Sequence, residues 1–180
     1  MFFKDLPDGS VQLHAAGVMT PGGALLILGH SGSGKSTLST LLSRNFPLLA
    51  DDLVILTYND DHQMWIVENG LLRIGETSLT GDLLGFLRIY QAPESHLSPL
   101  SPRALCRHLI DALFEVPTQR KAERAEKRRL FIEAAKIART FPGWEFHFAP
   151  NQAAIDLIDR HFQNSANLPS VFLNKEAHRV

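Results

Sequence analysis

Cysteine is nearly absent. Cys106 stands alone in 180 residues, so the chain closes no disulfide within itself. That excludes the small scaffolds stapled by disulfides and fits a reducing compartment. Charge of either sign is not in excess. Lys and Arg number 18 against 19 Asp and Glu, a formal net charge of −1. The chain therefore lacks the basic surplus that draws a protein to nucleic acid or to an anionic membrane surface. Long hydrophobic runs are missing too, and none spans a bilayer. Met1-Phe2-Phe3-Lys4-Asp5 carries charge where a signal peptide needs an apolar stretch. Eight histidines show no i,i+4 pairing and no cysteine at zinc spacing, so no structural zinc is expected. The expectation is a soluble, cytoplasmic protein with no nucleic acid and no membrane as partner.

What is present is one dense motif. Gly29-His30-Ser31-Gly32-Ser33-Gly34-Lys35-Ser36-Thr37 fills every fixed place of the phosphate-binding pattern G-x-x-x-x-G-K-[ST]. The glycines let successive backbone N–H groups turn inward on an anion. Lys35 places a positive charge beside the outer phosphates, Ser36 offers a hydroxyl to Mg²⁺, and the following helix aims its positive end at the same point. The flanks agree. Ala24 to Leu28 is an apolar run of strand length, and Leu38, Leu41 and Leu42 after the loop have helical spacing. A Gly/Ser-rich linker would have neither flank. ATP and Mg²⁺ are the expected ligands.

The surroundings depart from a regular βαβ alternation. Asp8-Gly9 leads into an apolar run from Val11 to Met19, and Pro21-Gly22-Gly23 turns the chain back, so the strand before the loop is expected to pair antiparallel with its predecessor. Leu48 to Leu56 reads as one buried strand containing Asp51 and Asp52. Trp65-Ile66-Val67 and Leu71 to Ile74 flank Asn69-Gly70, a hairpin signal. The second half is helical. Ser101-Pro102 starts a helix with a stripe of Leu105, Leu109, Ala112, Leu113 and Val116. Thr118 caps a second, running to about Arg139 and burying Leu130, Phe131, Ala134 and Ala138. Trp144, Phe146 and Phe148 alternate as an edge strand, and Asn151 caps a last helix carrying Ile155, Leu157 and Ile158. The fold class expected is α/β, with a phosphate loop set in mixed, largely antiparallel sheets and a helical C-terminal half. One nucleotide-binding domain is expected over 1–163 and a flexible tail over 164–180.

Phosphoryl transfer needs a carboxylate near the metal and a group that takes the acceptor's proton. Asp51 and Asp52 are the candidates. Two adjacent acids in an apolar strand are costly unless a cation neutralises them, and along a strand they point to opposite faces.

Three segments together resemble the catalytic domain of the bacterial HPr kinase/phosphorylase family: Leu13 to Val18, Leu26 to Thr37, and Leu48-Leu49-Ala50-Asp51-Asp52. The resemblance covers about residues 11 to 58. It implies the fold shared with ATP-dependent phosphoenolpyruvate carboxykinases, the use of ATP and Mg²⁺, phosphorylation of a serine hydroxyl, and a homo-oligomer. By the same resemblance Asp52 exchanges a proton with the hydroxyl, Asp51 supports the metal with Ser36, Lys35 grips the β- and γ-phosphates, and His14 lies near the phosphates. Thr37 stands where the regulatory enzymes usually carry an acid, and Glu68 to Gly75 is a distant echo of their glutamate-led signature. The chain looks like a short, divergent member, so phosphorylase activity and HPr itself as substrate do not carry across.

The expected function is thus an ATP-dependent kinase acting on a hydroxyl, with a serine of a protein or peptide first. A small-molecule kinase and a non-catalytic ATP-binding sensor are the alternatives. A transporter-type ATPase also carries such a loop, but no Leu-Ser-Gly-Gly-Gln signature follows it. Arg73 and Arg88 are candidates for steadying the transferring phosphoryl, as any exposed arginine would be. Glu76 and Asp82 fall in a Gly/Thr/Ser-rich stretch, Gly75 to Gly85, expected as a loop. The basic stretch Arg120 to Arg129, diluted by Glu123 and Glu126, reads as a solvated helix face with i,i+3 and i,i+4 pairs.

Overall fold

The computed structural model describes residues 9–71 and 79–162. In chain order its elements are β1 (Val11–His14), β2 (Ala16–Thr20), β3 (Gly23–Leu28), α1 (Lys35–Leu42), β4 (Leu48–Ala50), β5 (Leu53–Asn59), β6 (Met64–Asn69), β7 (Thr80–Gln91), β8 (His96–Pro99), α2 (Pro102–Glu115), α3 (Pro117–Arg120), α4 (Arg124–Thr140), β9 (Gly143–Phe148) and α5 (Gln152–Phe162).

β3 is apolar at every position because both its faces are covered. Leu26 and Leu28 join a cluster with Val54 and Val67 of the sheet, Leu105 and Leu109 of α2, and Leu130 and Ala134 of α4. Leu25 and Ile27 join a second cluster with Leu38 and Leu42 of α1 and Ile158 and Phe162 of α5. As expected, β2 turns back on β3 in antiparallel register, with Thr20 opposite Gly23 across Pro21-Gly22. On its other side β3 runs parallel to β7. The strands follow the order β1-β5-β6-β7-β3-β2-β4, with β9 also on β7 and β8 on β9. Only β3–β7 and β7–β9 are parallel, so the sheet is mixed and largely antiparallel. β7 serves two neighbourhoods: Thr80 to Asp82 pair with β6, and the residues after them pair with β3 and β9.

Several expectations change. The run from Val11 to Met19 is two strands. β1 pairs with β5 and β2 with β3, and the chain crosses at Ala15, whose N–H bonds to Asp52 O at 3.1 Å. Leu48 to Leu56 is likewise two strands with Asp51 and Asp52 in a bend between them. The chain changes partners there, so neither acid is buried in an apolar strand. Asn69-Gly70 makes no tight hairpin. Asn69 still pairs with Val54 and Gly70 donates to Leu53 O at 2.9 Å, while β7 takes the other side of β6 at Ile66 to Glu68, so no edge is left for a returning strand. Leu72 to Ile74 fall outside the described residues, as do Asp8, Arg73, Gly75, Glu76 and the tail after Phe162. Thr80 to Gly85 lie in β7, not in a loop. The proline-rich stretch from Pro93 to Pro102 contains β8, which makes β9 an interior strand rather than an edge.

α2 begins as its sequence says. Ser101 Oγ accepts the Ala104 N–H at 3.2 Å, and Pro102 fills the first turn. Thr118 caps no long helix. The chain makes the single turn α3, breaks, and restarts at α4 after Glu123. The buried side of α4 is Leu130, Ala134, Ile137 and Ala138, while Phe131 stays 45% exposed. α5 starts at Asn151, whose Oδ1 accepts the Ala154 N–H at 3.4 Å. No described helix is long and apolar enough to cross a membrane.

Candidate functional site

The loop from Gly29 to Gly34 leaves the carboxyl end of β3 and enters α1 directly. Gly32 and Gly34 take φ of 78° and 98°, the left-handed region closed to most side chains. Ser33 N–H bonds back to His30 O at 3.0 Å, which tightens the curl. Gly34 has a second constraint: a Cβ there would lie 3.1 Å from Phe148 Cζ. Among the described residues the backbone N–H groups of Lys35, Ser36 and Thr37 bond to no backbone carbonyl, and α1 has no side-chain cap and no acid in its first turn. Amides left open at a helix start fit a phosphate group. Ser36 and Thr37 are exposed beside them.

Lys35 is buried, and its ammonium donates to Gly29 O at 2.8 Å and His30 O at 3.2 Å. Burial lowers its pKa from the ordinary 10.5. The charges of Glu115 and Asp52 work against that shift, Arg88 works with it, and Asp51 also opposes it. The ammonium therefore lies within the field of three carboxylates and one guanidinium.

Two of those carboxylates flank His14. Its Nδ1 lies 3.1 Å from Asp52 Oδ1, and its Nε2 lies 3.4 Å from Glu115 Oε2. His30 Nδ1 lies 3.5 Å from Glu115 Oε1. The chain of contacts is thus Asp52, His14, Glu115, His30. Asp52 is 63% exposed and open to an incoming molecule. Asp51 sits apart from this chain. The buried Ser39 hydroxyl lies 2.9 Å from Asp51 Oδ1, which places that carboxylate beside the first turns of α1 and near Ser36. Among the described residues no three His, Cys, Asp or Glu side chains stand together as a metal site. A hard cation such as Mg²⁺ commonly takes one or two carboxylates and draws its other oxygens from phosphates and water. Asp51 and Ser36 fit such a role.

The fold thus brings together Lys35, Ser36, Asp51, Asp52, His14 and His30. Ser31 lies exposed on the outer rim of the loop. Glu115 had no sequence signal. It ends an ordinary amphipathic helix 101 positions after His14, and only the packing of α2 over β1 brings it in. Gln119 was missed for the same reason. It donates to Leu113 O and bonds both backbone groups of Gln12, so it joins the end of α2 to β1. Arg88 was anticipated as an exposed arginine, yet it is 5% exposed in the middle of β7. The basic stretch behaves mostly as a solvated face. Arg129 makes an expected i,i+3 pair with Glu126 at 2.7 Å, which holds the Glu126 carboxyl below its usual range, and departs from a solvated face only in donating to Gly9 O and Ser10 O.

No protein-family profile matches the chain, and no curated protein does. Among solved structures it is similar to the Hpr(Ser) kinase/phosphatase from Coxiella burnetii, at 14% identity and a TM-score of 0.42. The match covers 83% of this chain and 95% of that one. A likeness this loose says nothing of activity or substrate.

Proposed function

We propose that the protein is an ATP-dependent kinase that phosphorylates a hydroxyl. The observation that carries this reading is the convergence of the Lys35 loop with the Asp52–His14 pair: an anion cradle beside an exposed carboxylate. Backbone amides at the start of α1 and the Lys35 ammonium hold the phosphates of ATP, and Ser36 with Asp51 holds Mg²⁺. The metal, when bound, supplies neutralisation of phosphate charge. Asp52 takes the acceptor's proton as the hydroxyl oxygen bonds to the γ-phosphorus and the bond to the ADP oxygen breaks. His14 orients the Asp52 carboxylate, and Glu115 in turn orients His14. Glu115 also holds His30 beside the loop. A serine of a protein or peptide as acceptor rests on the family resemblance alone.

The test is ADP release and phosphoryl transfer with and without hydroxyl acceptors, in the wild type and in Asp52→Asn. The variant keeps its ATP affinity by calorimetry and loses transfer by roughly two to four orders of magnitude, the range of a general base. Undiminished transfer by Asp52→Asn removes the proposed base.

A further inference from the structure

Among the described residues Arg88 is an unusual buried side chain. It is 5% exposed, its Nε has no hydrogen-bond partner, and among the described residues no carboxylate lies within ion-pair distance of it. A buried guanidinium with an unpaired Nε–H is costly. Its place in the sheet explains what it faces. In parallel register Arg88 stands between Leu28, the residue before the phosphate loop, and Glu145 of β9. Phe86, two residues earlier and on the same face, packs in the cluster with Leu105 and Leu109 of α2. Arg88 therefore points to the α2 side of the sheet, the side of Asp52, His14 and Glu115.

A second orphan lies on that side. His108 of α2 has a buried Nδ1 with no partner. Burial, and then the charge of Arg88, lower its pKa from 6.5, so at neutral pH its ring is uncharged and can give an N–H without adding charge. The charge of Arg88 also acts on Lys35, and Leu28, its register partner, leads directly into the phosphate loop. Its carbon sits 5.2 Å from the centre of the Tyr90 ring. Tyr90 stacks on His147 at 5.0 Å, and His147 stacks on His96 at 4.3 Å, so a wall of three stacked rings runs outward from the guanidinium.

We propose that Arg88 and His108 form an oxyanion subsite on the α2 side of the sheet, beside the phosphate loop, which takes a phosphate or carboxylate group of a small acceptor molecule. The proposal rests on the kinase reading and names its substrate class. A guanidinium this enclosed is reached by a slender anionic metabolite, not by a side chain on the surface of a folded protein. The acceptor binds through its anion at Arg88, stacks or packs against the ring wall, and presents its hydroxyl toward Asp52. An arginine fork supplies paired, charge-assisted hydrogen bonds for such a group.

The test follows the Arg88 Nε–H signal by nitrogen-15 NMR in the full chain, with calorimetry alongside. Inorganic phosphate and acetate are titrated separately, each in the presence of Mg²⁺ and a non-hydrolysable ATP analogue that fills the phosphate loop. Saturable movement of the Arg88 signal supports the subsite, and the stronger of the two anions names the acceptor's group. Arg88→Met and His108→Leu each weaken that binding by roughly tenfold or more, while the affinity for the ATP analogue is retained. If the analogue binds and neither anion moves the signal, the subsite is wrong and the kinase reading stands. If anions bind only without the analogue, Arg88 belongs to the γ-phosphate, and the acceptor subsite is overturned. If the analogue fails to bind but phosphate still moves Arg88, the kinase reading falls and the anion site remains. The wild-type signal decides the matter even if a variant folds poorly.

Discussion

Gln119 bonds the backbone of Gln12 in both directions: Gln12 N–H donates to Oε1 at 3.0 Å, and Nε2 donates to Gln12 O at 2.7 Å. A side chain thereby stands in for a strand on the outer edge of β1. The same Nε2 reaches Leu113 O at 2.7 Å. Gln12 is two residues from His14 and Leu113 two from Glu115, so this amide sets the spacing across which those two side chains meet.

Leu113 O keeps the Val116 N–H at 3.3 Å, but Gln119→Leu leaves two buried backbone groups, Gln12 N–H and Gln12 O, without their partner. Each costs about 1–3 kcal/mol when unpaired, so the expected loss is at least about 2 kcal/mol. Urea unfolding measures it. Unchanged stability means that the amide ties nothing together.

Ser39→Ala removes the hydroxyl that holds Asp51 beside α1. The expected outcome is a fall of roughly five- to tenfold in Mg²⁺-dependent ATP affinity, the worth of about one hydrogen bond, with little change in metal-free binding. Calorimetry with and without Mg²⁺ separates the two.

Lys35 has a lowered pKa because burial disfavours its charge, with Arg88 adding to the effect and Glu115 and Asp52 opposing it. Between that lowered value and 10.5 the unfolded chain binds more protons here than the folded one, so stability rises with pH across the window. Lys35→Met is expected to unfold at higher urea than the wild type at neutral pH, with the gap closing as pH approaches 10.5, while ATP binding is lost. A gap that does not change with pH contradicts the buried charge.

His108 titrates below 6.5, by burial first and Arg88 second. The stability that its neutral ring allows is fully present above 6.5 and is lost as pH falls through the lowered value. Thermal melts on either side of 6.5 should show an acid-sensitive loss that His108→Leu lacks.

The sequence carried the loop, its flanking strand and helix, the antiparallel entry and the mixed sheet, because each depends on residues close together in the chain. The stripe of α2 was legible for the same reason. Errors fell where tertiary pairing overrode a local signal. Asn69-Gly70 has the chemistry of a tight turn, but β5 keeps Asn69 in its ladder and β7 takes the other side of β6. Ala15 and the Asp51-Asp52 bend interrupt apolar runs that look continuous, because the chain changes partners there. Glu115 meets His14, and Gln119 meets Gln12, only across more than a hundred residues. Arg88 was visible as an arginine, but its burial was hidden by lying in a strand covered from both sides.

The crossing of β7 between β3 and β9 bears on how the protein is made. A ribosome delivers the amino end first, so the loop around Lys35 leaves the exit tunnel well before the partners that brace it. β7 must align beside the strand feeding that loop, and Phe148, which packs over Gly34, is made later still. Nascent chains cut short of that phenylalanine would carry the whole nucleotide motif yet lack the wall that shapes it. The loop around Gly34 thus gains its full surroundings only once Phe148 has been made.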